Sequence, residues 1–123
     1  MLPASLACLA LAFAQEAEPV SPKPFDRVME LEGLFTKRLE QLKSLPVVEE
    51  VRGMGALGIV ELSTQGKSGY LDKRGPKLAQ ALLERGILLR PLGNVLYFLP
   101  PYVITDEEAH SVFDAIEEVL EAL

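Results

Sequence analysis

The chain has 123 residues, 49% of them apolar and 24% charged, with a formal net charge of −6. This length allows one ordinary domain with a real core, and this composition is that of a globular protein, not a disordered one. The excess of acids argues against non-specific nucleic-acid binding and against a polybasic membrane contact, since both need Lys and Arg. One cysteine, Cys8, rules out an internal disulfide, and with one histidine, His110, it makes a poor ligand set for zinc. We therefore expect no nucleic acid, membrane or metal ion among the partners.

The first 14 residues, MLPASLACLALAFA, are almost wholly apolar and support two interpretations. One is a secretory signal peptide that ends at Ala12-Phe13-Ala14, although no Lys or Arg precedes the apolar run. The other is a buried helix within residues 1–18, helical from Ala4 to Ala14, that leads into the domain. The run is too short to cross a bilayer. The first interpretation places the protein outside the cell, and the second predicts a cytoplasmic protein.

The next segments predict a helix followed by two strands. Three prolines between Glu16 and Pro24 predict an extended connector. The stretch Phe25–Leu45 has apolar residues at three- and four-residue steps, which is typical of an amphipathic helix, and Pro46 ends it. From Pro46 to Leu62 the pattern is instead that of two short strands that bend at glycines.

Gly53, Gly55 and Gly58 match the spacing of the dinucleotide-binding motif G-x-G-x-x-G. That motif needs a helix directly after it. The residues that follow here, Ile59 to Leu62, are typical of a strand. We therefore interpret these glycines as structural, at a place where the backbone passes close to another part of the fold.

The remaining elements follow in order. Ser63–Gly75 is predicted to be a loop and Pro76–Arg85 a short helix that Gly86 ends. Strands are predicted at Ile87–Leu89 and Val95–Leu99, on either side of a turn at Gly93-Asn94. A last helix is predicted to begin with a capping box, in which Thr105 is the N-cap and Glu108 reaches back. The last helix is also expected to expose a solvated acidic face, because the chain from Pro91 onward has seven acids and no Lys or Arg. This order predicts a single α+β domain over residues 1–123, with helices packed on a small antiparallel or mixed sheet.

Arg90 is chemically unusual because it ends an apolar run and is followed at once by a proline and a glycine turn. A guanidinium keeps its charge, so an apolar setting requires an anionic partner. That partner could be the carboxylate of a ligand, bound through two parallel hydrogen bonds. It could also be an acid of the chain itself, and Glu61 and Glu84 are the candidates.

Three segments resemble one enzyme family. The run from Arg90 to Thr105, RPLGNVLYFLPPYVIT, resembles the R-P-[FL]-G-x-x-[IVL]-Y-x-[ML]-P-P-Y segment of class III pyridoxal-phosphate aminotransferases. Val51–Glu61, VRGMGALGIVE, is similar to that family's V-R-x-x-G-A-[IL]-G-V-V-E segment, and Leu6–Ala12, LACLALA, to its N-P-L-A-C helix. Within the family, the match is to biotin-pathway members, which form 7,8-diaminopelargonate. The resemblance covers nearly the whole chain and implies the C-terminal small domain of a fold-type I aminotransferase.

The resemblance implies roles for two residues. Arg90 is at the position of the arginine that binds the substrate carboxylate in the family, and Tyr97 is at that of a tyrosine near the substrate pocket. An alternative for Tyr97 is a cross-strand aromatic residue in the core.

The cofactor site is expected to lie elsewhere. In the family, the lysine that binds pyridoxal phosphate belongs to a large domain upstream of the matched region, and none of the six lysines here matches its motif. The lysines are Lys23, Lys37, Lys43, Lys67, Lys73 and Lys77. We therefore expect no catalytic residue and no pyridoxal phosphate bound by this chain alone. The expected partners are an aminotransferase large domain or a second copy, together with an amino- or keto-acid substrate. The alternative is a non-catalytic small-molecule-binding or interaction module derived from that domain.

Overall fold

The computed structural model describes residues 23–64 and 73–123. This part of the chain contains three helices and three strands. They are α1 (Pro24–Lys43), β1 (Val48–Met54), β2 (Leu57–Leu62), α2 (Arg74–Glu84), β3 (Val95–Phe98) and α3 (Asp106–Glu121). The predicted α+β class is confirmed, and within the described residues the sheet is wholly antiparallel. The apolar segment at residues 1–18, with its two interpretations, lies outside the described residues.

Helix α1 forms where the three- and four-residue apolar spacing predicts it. Its predicted span differs from the observed one by only one or two residues at each end. The proline at its first turn needs no backbone hydrogen bond there, and Pro46 lies just beyond its end. One face of the helix supplies four buried side chains to the core: Leu31, Phe35, Leu39 and Leu42.

The sheet has the order β1-β2-β3, and its two faces differ in burial. Alternate residues of each strand point to opposite faces. The inner face packs against α1 and includes Val60, Leu62, Leu96 and Phe98, all buried. The opposite face, which we call the outer face, is partly or fully exposed. Its residues are Glu50, Arg52, Met54, Leu57, Ile59, Glu61, Val95 and Tyr97.

The glycine motif lies in the β1–β2 hairpin, and a strand follows it, as predicted. The hairpin backbone passes close to α1. A Cβ at Gly53 would lie 3.1 Å from a methyl group of Leu39, and one at Gly58 would touch Leu39 and Phe35 at 3.6 Å. The close neighbour that the sequence interpretation required is therefore helix α1.

The predicted strand over Ile87–Leu89 is wrong. In the described part of the chain this run belongs to no strand, and the amide of Ile87 donates instead to the carbonyl of Leu82 at 3.0 Å. That bond closes the end of α2 next to Gly86. The apolar run that follows therefore begins at the helix end and is not paired with a strand in the described residues. Further along the chain, Leu92 forms an isolated bridge to Val95.

Helix α3 begins with the predicted capping box. The hydroxyl of Thr105 accepts from the amide of Glu108 at 3.1 Å, and the Glu108 carboxylate accepts from the amide of Thr105 at 3.2 Å. The apolar stripe of this helix is buried except for Val112, which is partly exposed, and Leu123, which lies beyond the helix end. Phe113 from this stripe meets Phe35 and Phe98, with ring centroids 5.1–5.6 Å apart. This aromatic cluster joins α1, β3 and α3.

The acidic residues of α3 are exposed, with Glu117 partly exposed, as expected for a solvated face, and some of them also pair with arginines of α1. Arg27 of α1 contacts Asp106 at 2.8 Å and also donates to the carbonyl of Ile104 at 2.6 Å. The hydrogen bond to Asp106 raises the pKa of Arg27 above its ordinary value. Further along α1, Arg38 pairs with Asp114 and lies over the ring of Phe113, 5.7 Å from its centroid. These two arginines therefore attach the acidic helix to α1.

Within the described residues, no helix combines the length and the hydropathy that a membrane crossing requires.

Candidate functional site

The segment that carries Arg90 links α2 to β3. From Ile87 to Leu92 the side chains alternate between partly buried and exposed positions. Ile87, Leu89 and Pro91 are partly buried, whereas Leu88, Arg90 and Leu92 are exposed. The two leucines are 85% and 64% exposed, so apolar side chains face solvent two residues before and two residues after Arg90.

No acid in the described part of the chain pairs with Arg90. Among residues 23–64 and 73–123, it takes part in no ion pair and no hydrogen bond. The two acids that could have neutralised it are engaged elsewhere, since Glu61 lies 3.6 Å from Arg52 and Glu84 accepts from Gln80 at 3.4 Å. The guanidinium is therefore available to an anion that comes from outside the described chain.

Tyr97 lies on the outer face of the sheet, directly opposite Ile59 of β2, and is 40% exposed. Its strand neighbours Leu96 and Phe98 point the other way and are buried. The alternative of a core aromatic residue is therefore wrong, although the cross-strand position is as expected. In the described part of the chain, no hydrogen bond joins Tyr97 to Arg90.

The turn after Arg90 is tightly bonded. Leu92 and Val95 exchange two backbone hydrogen bonds of 2.8 and 3.0 Å, and Gly93 between them has φ 62°, in the left-handed region that favours glycine. The side chain of Asn94 donates to the carbonyl of Leu62 at 2.8 Å. The predicted Gly93-Asn94 turn is thus confirmed, and Asn94 also ties it to β2.

Two parts of this site were not found from the sequence. Leu88 and Leu92 flank Arg90, but in the run ILLRPL nearly every neighbour is apolar, so no contrast marks the exposed positions. The bond from Asn94 to Leu62 joins residues 32 positions apart, and a turn-forming asparagine carries no sign of such a partner. The burial alternation and the long-range bond become visible only in the folded chain.

A separate cleft of about 370 Å³ lies between the end of α2 and the outer side of α3. Its floor is apolar and includes Ile87, Val112 and Ala115. Arg85 and Glu118 pair at 3.3 Å on its rim. Neither Arg90 nor Tyr97 lines it, so it is not part of the candidate site.

The described residues contain no group of three or more His, Cys, Asp or Glu side chains placed to hold a metal ion. They include five lysines, Lys23, Lys37, Lys43, Lys73 and Lys77, and all five are exposed. The chemistry of the candidate site therefore rests on the guanidinium of Arg90, its two leucine neighbours and the outer face that bears Tyr97.

Comparison with known proteins places this arrangement in context. The sequence profile of the family "Aminotransferase class-III" matches residues 5–120. The adenosylmethionine-8-amino-7-oxononanoate aminotransferase of Synechococcus elongatus is 41% identical over 96 residues, which cover 78% of this chain and 22% of that enzyme. The enzyme of the same name from Methanocaldococcus jannaschii is 41% identical over 91 residues, 71% of this chain and 20% of its own length. The chain thus spans about a fifth of the curated relatives it matches.

The fold agrees with this relationship. The crystal structure of the Methanocaldococcus jannaschii enzyme superimposes with a TM-score of 0.73 at 32% identity, over 95% of this chain and 26% of that one. A structure described as "Transaminase with L-ala" superimposes with a TM-score of 0.71 at 33% identity, over 94% of this chain and 27% of its own. Because the family profile matches nearly the whole sequence and the fold agrees, the chain belongs to the class III aminotransferase family.

Proposed function

We propose that this chain is the C-terminal small domain of a biotin-pathway class III aminotransferase and that Arg90 binds the carboxylate of the substrate. One observation carries the proposal: an exposed arginine, between two exposed leucines, has no acid partner within the described residues. A residue that serves only to hold the fold together would be expected to use its five donors internally. A residue that receives an anionic ligand must keep them free.

The surroundings of Arg90 suit an amino or keto acid with an aliphatic chain. The guanidinium fork matches the two oxygens of a carboxylate, and Leu88 and Leu92 would contact the methylene groups beside it. The relatives are named for 8-amino-7-oxononanoate, a carboxylate on a long aliphatic chain. We propose a substrate of this class for the complete enzyme.

We further propose that the whole chain is one domain and that an aminotransferase large domain covers the outer face. Ile59 and Tyr97 on this face present apolar surface, and the Arg52–Glu61 pair lies beside them. In that arrangement Tyr97 would lie at the junction of the two domains, near the substrate pocket. Membership of the class III aminotransferase family supports a cytoplasmic protein.

Pyridoxal phosphate is the cofactor that the family implies, and when bound it carries the amino group between the two substrates. The described residues do not fit this group. It requires a lysine in an enclosed pocket, and the described lysines are all exposed. We therefore assign the cofactor site to the large domain, and to this chain only the recognition of substrate.

The role of Arg90 can be tested in a chimera in which residues 23–123 replace the matching region of the Methanocaldococcus jannaschii enzyme. Arg90→Lys should raise KM for the keto-acid substrate by about ten- to a hundredfold, with kcat little changed. An ammonium cannot reproduce the planar two-point contact, and a hydrogen bond to a charged group is worth about 1.5–3 kcal/mol. Steady-state kinetics with varied keto acid measures this directly.

Arg85→Lys is the matched control for that experiment. Arg85 is also exposed, but it pairs with Glu118 on the rim of the separate cleft. Its substitution should leave KM within about twofold, because an exposed ion pair contributes little. An Arg90→Lys chimera with an unchanged KM would contradict the proposed role.

The 123-residue chain alone should not form a stoichiometric Schiff base with pyridoxal phosphate. The lysines in the described part of the chain should label only slowly and weakly, since all of them are exposed and none is held in place beside the cofactor. Titration with pyridoxal phosphate, followed by visible absorbance, tests this. A one-to-one absorbance band that is lost on substitution of a single lysine would show that the chain has its own cofactor site.

The chain should self-associate when it is separated from a large domain. Large apolar side chains are exposed near the outer face, with Met54 75%, Leu99 66% and Tyr97 40% exposed. A contiguous apolar patch of more than a few hundred Å² usually marks a partner surface. Sedimentation velocity should give a weight-average mass that rises with concentration. A monomer at all concentrations would count against a covered outer face.

A further inference from the structure

The turn that follows Arg90, residues 91–94, is held between two elements that are distant in sequence. On one side is the end of β2, and on the other is the N-terminus of α2. Arg90 is joined directly to Pro91, the first residue of this turn, and the φ angle of a proline is fixed. A displacement of the turn is therefore passed to the backbone of Arg90.

On the β2 side, hydrogen bonds fix the position of the turn. The amide nitrogen of the Asn94 side chain donates to the carbonyl of Leu62 at 2.8 Å, and the backbone amide of Leu62 donates to the carbonyl of Asn94 at 2.8 Å. Asn94 is half-buried, so water competes only partly for these groups. Two reciprocal bonds fix both the distance and the orientation of the turn relative to the sheet.

On the α2 side the hold is steric. Gly75, in the first turn of α2, is buried, and a Cβ added there would lie 3.1 Å from the carbonyl oxygen of Gly93 and 3.7 Å from Cβ of Pro91. The first distance is shorter than an ordinary van der Waals contact, and the atom opposed is backbone. The helix can approach the turn this closely only because residue 75 has no side chain.

We infer that Asn94 and Gly75 are positioning residues for Arg90, which together set where its guanidinium meets the substrate carboxylate. This inference rests on the proposed function of Arg90. Two-point binding of a carboxylate is sensitive to alignment, so a shift of a few tenths of an ångström in the turn weakens it while the fold persists. Neither residue touches the substrate in this arrangement.

The test uses the same chimera and two substitutions on opposite sides of the turn. Asn94→Asp keeps the shape of the side chain but replaces the donor by a carboxylate that faces the carbonyl of Leu62. Gly75→Ala adds one methyl group against Gly93. Each should raise KM for the keto acid by about two- to tenfold, the size of one lost or strained hydrogen bond, with kcat within about twofold. Gly33→Ala is the matched control, because the same methyl group there meets no atom within 4 Å, and KM should not change.

A double variant that combines Asn94→Asp with Arg90→Lys distinguishes an effect on the position of Arg90 from a general loss of structure. If the two residues act through the guanidinium fork, Asn94→Asp should add little to the KM of the Arg90→Lys chimera. Effects that multiply fully in the double variant would overturn the inference, as would single variants with an unchanged KM. If Arg90→Lys itself leaves KM unchanged, the proposed function fails first and this inference with it.

If the chimera does not fold, the inference can be tested by a second measurement on the 123-residue chain. In the complete 123-residue chain, Asn94→Asp and Gly75→Ala should each speed amide hydrogen exchange at Leu92 and Val95 by about tenfold or more relative to Gly33→Ala. Exchange that matches the unsubstituted chain would show that neither residue holds the turn, and the inference would be wrong.

Discussion

Phe113→Ala should lower the free energy of unfolding by about 3–5 kcal/mol. The ring is 1% exposed and lies 5.1 Å from the ring of Phe35 and 5.6 Å from that of Phe98, edge-to-face with both. Its removal leaves a cavity where α1, β3 and α3 meet, and it also removes two aromatic contacts that each contribute about 0.5–1.5 kcal/mol.

Urea unfolding of the variant and of the unsubstituted chain measures this loss. Phe25→Ala is the matched control, because Phe25 is 75% exposed and its truncation should change stability by no more than about 0.5 kcal/mol. If the chain is too marginal to survive Phe113→Ala, Phe113→Leu leaves a smaller cavity and should give a smaller, measurable loss. Equal effects at residues 113 and 25 would mean that the aromatic cluster is not the centre of the core.

Gly55→Val should lower the free energy of unfolding by about 2–4 kcal/mol, because two penalties coincide at this position. Gly55 begins the two-residue connection between β1 and β2 with φ 56°, where a β-branched residue is strongly disfavoured. A Cβ there would also lie 3.0 Å from a methyl group of Val28. The amide of Gly55 donates to the carboxylate of Glu32 at 2.6 Å, so a shifted hairpin would lose that bond too.

Gly33→Ala serves as the control, because it is expected to raise the stability of the chain and not to lower it. Gly33 lies in the middle of α1 on its exposed side, and an added Cβ meets no atom within 4 Å. The substitution should stabilise the chain by about 0.5–1 kcal/mol through better helix propensity. Thermal unfolding of both variants should therefore show shifts of opposite sign. A neutral Gly55→Val would contradict the hairpin geometry.

The elements predicted correctly are those governed by local rules. The apolar spacing of α1, the capping box at Thr105 and the turn at Gly93-Asn94 depend on residues within a few positions of one another. Helix periodicity, capping hydrogen bonds and left-handed backbone each follow from the chemistry of near neighbours. The same holds for the glycine motif, whose following strand was recognisable from its β-branched residues.

The wrong prediction, a strand at Ile87–Leu89, shows where such rules stop. An apolar run can be a strand only if another strand supplies its hydrogen bonds, and that partner is not encoded in the run itself. Here the amide of Ile87 bonds back to α2, and the run continues as a link with alternating exposure. The ion pairs that Arg27 and Arg38 make with the exposed acids of α3 could not be predicted either, because they depend on how two distant helices pack.

The candidate site divides in the same way. The sequence by itself determined which residue to examine, since a permanent charge in an apolar run before Pro91 is a conspicuous chemical feature. Only the tertiary structure decided that Glu61 and Glu84 are engaged elsewhere, that Tyr97 faces outward, and that Asn94 bonds to a carbonyl 32 residues away. The physical reason is that a charge is a property of one residue. Its partners, its exposure and its exact placement are properties of contacts between segments that come together only when the chain folds.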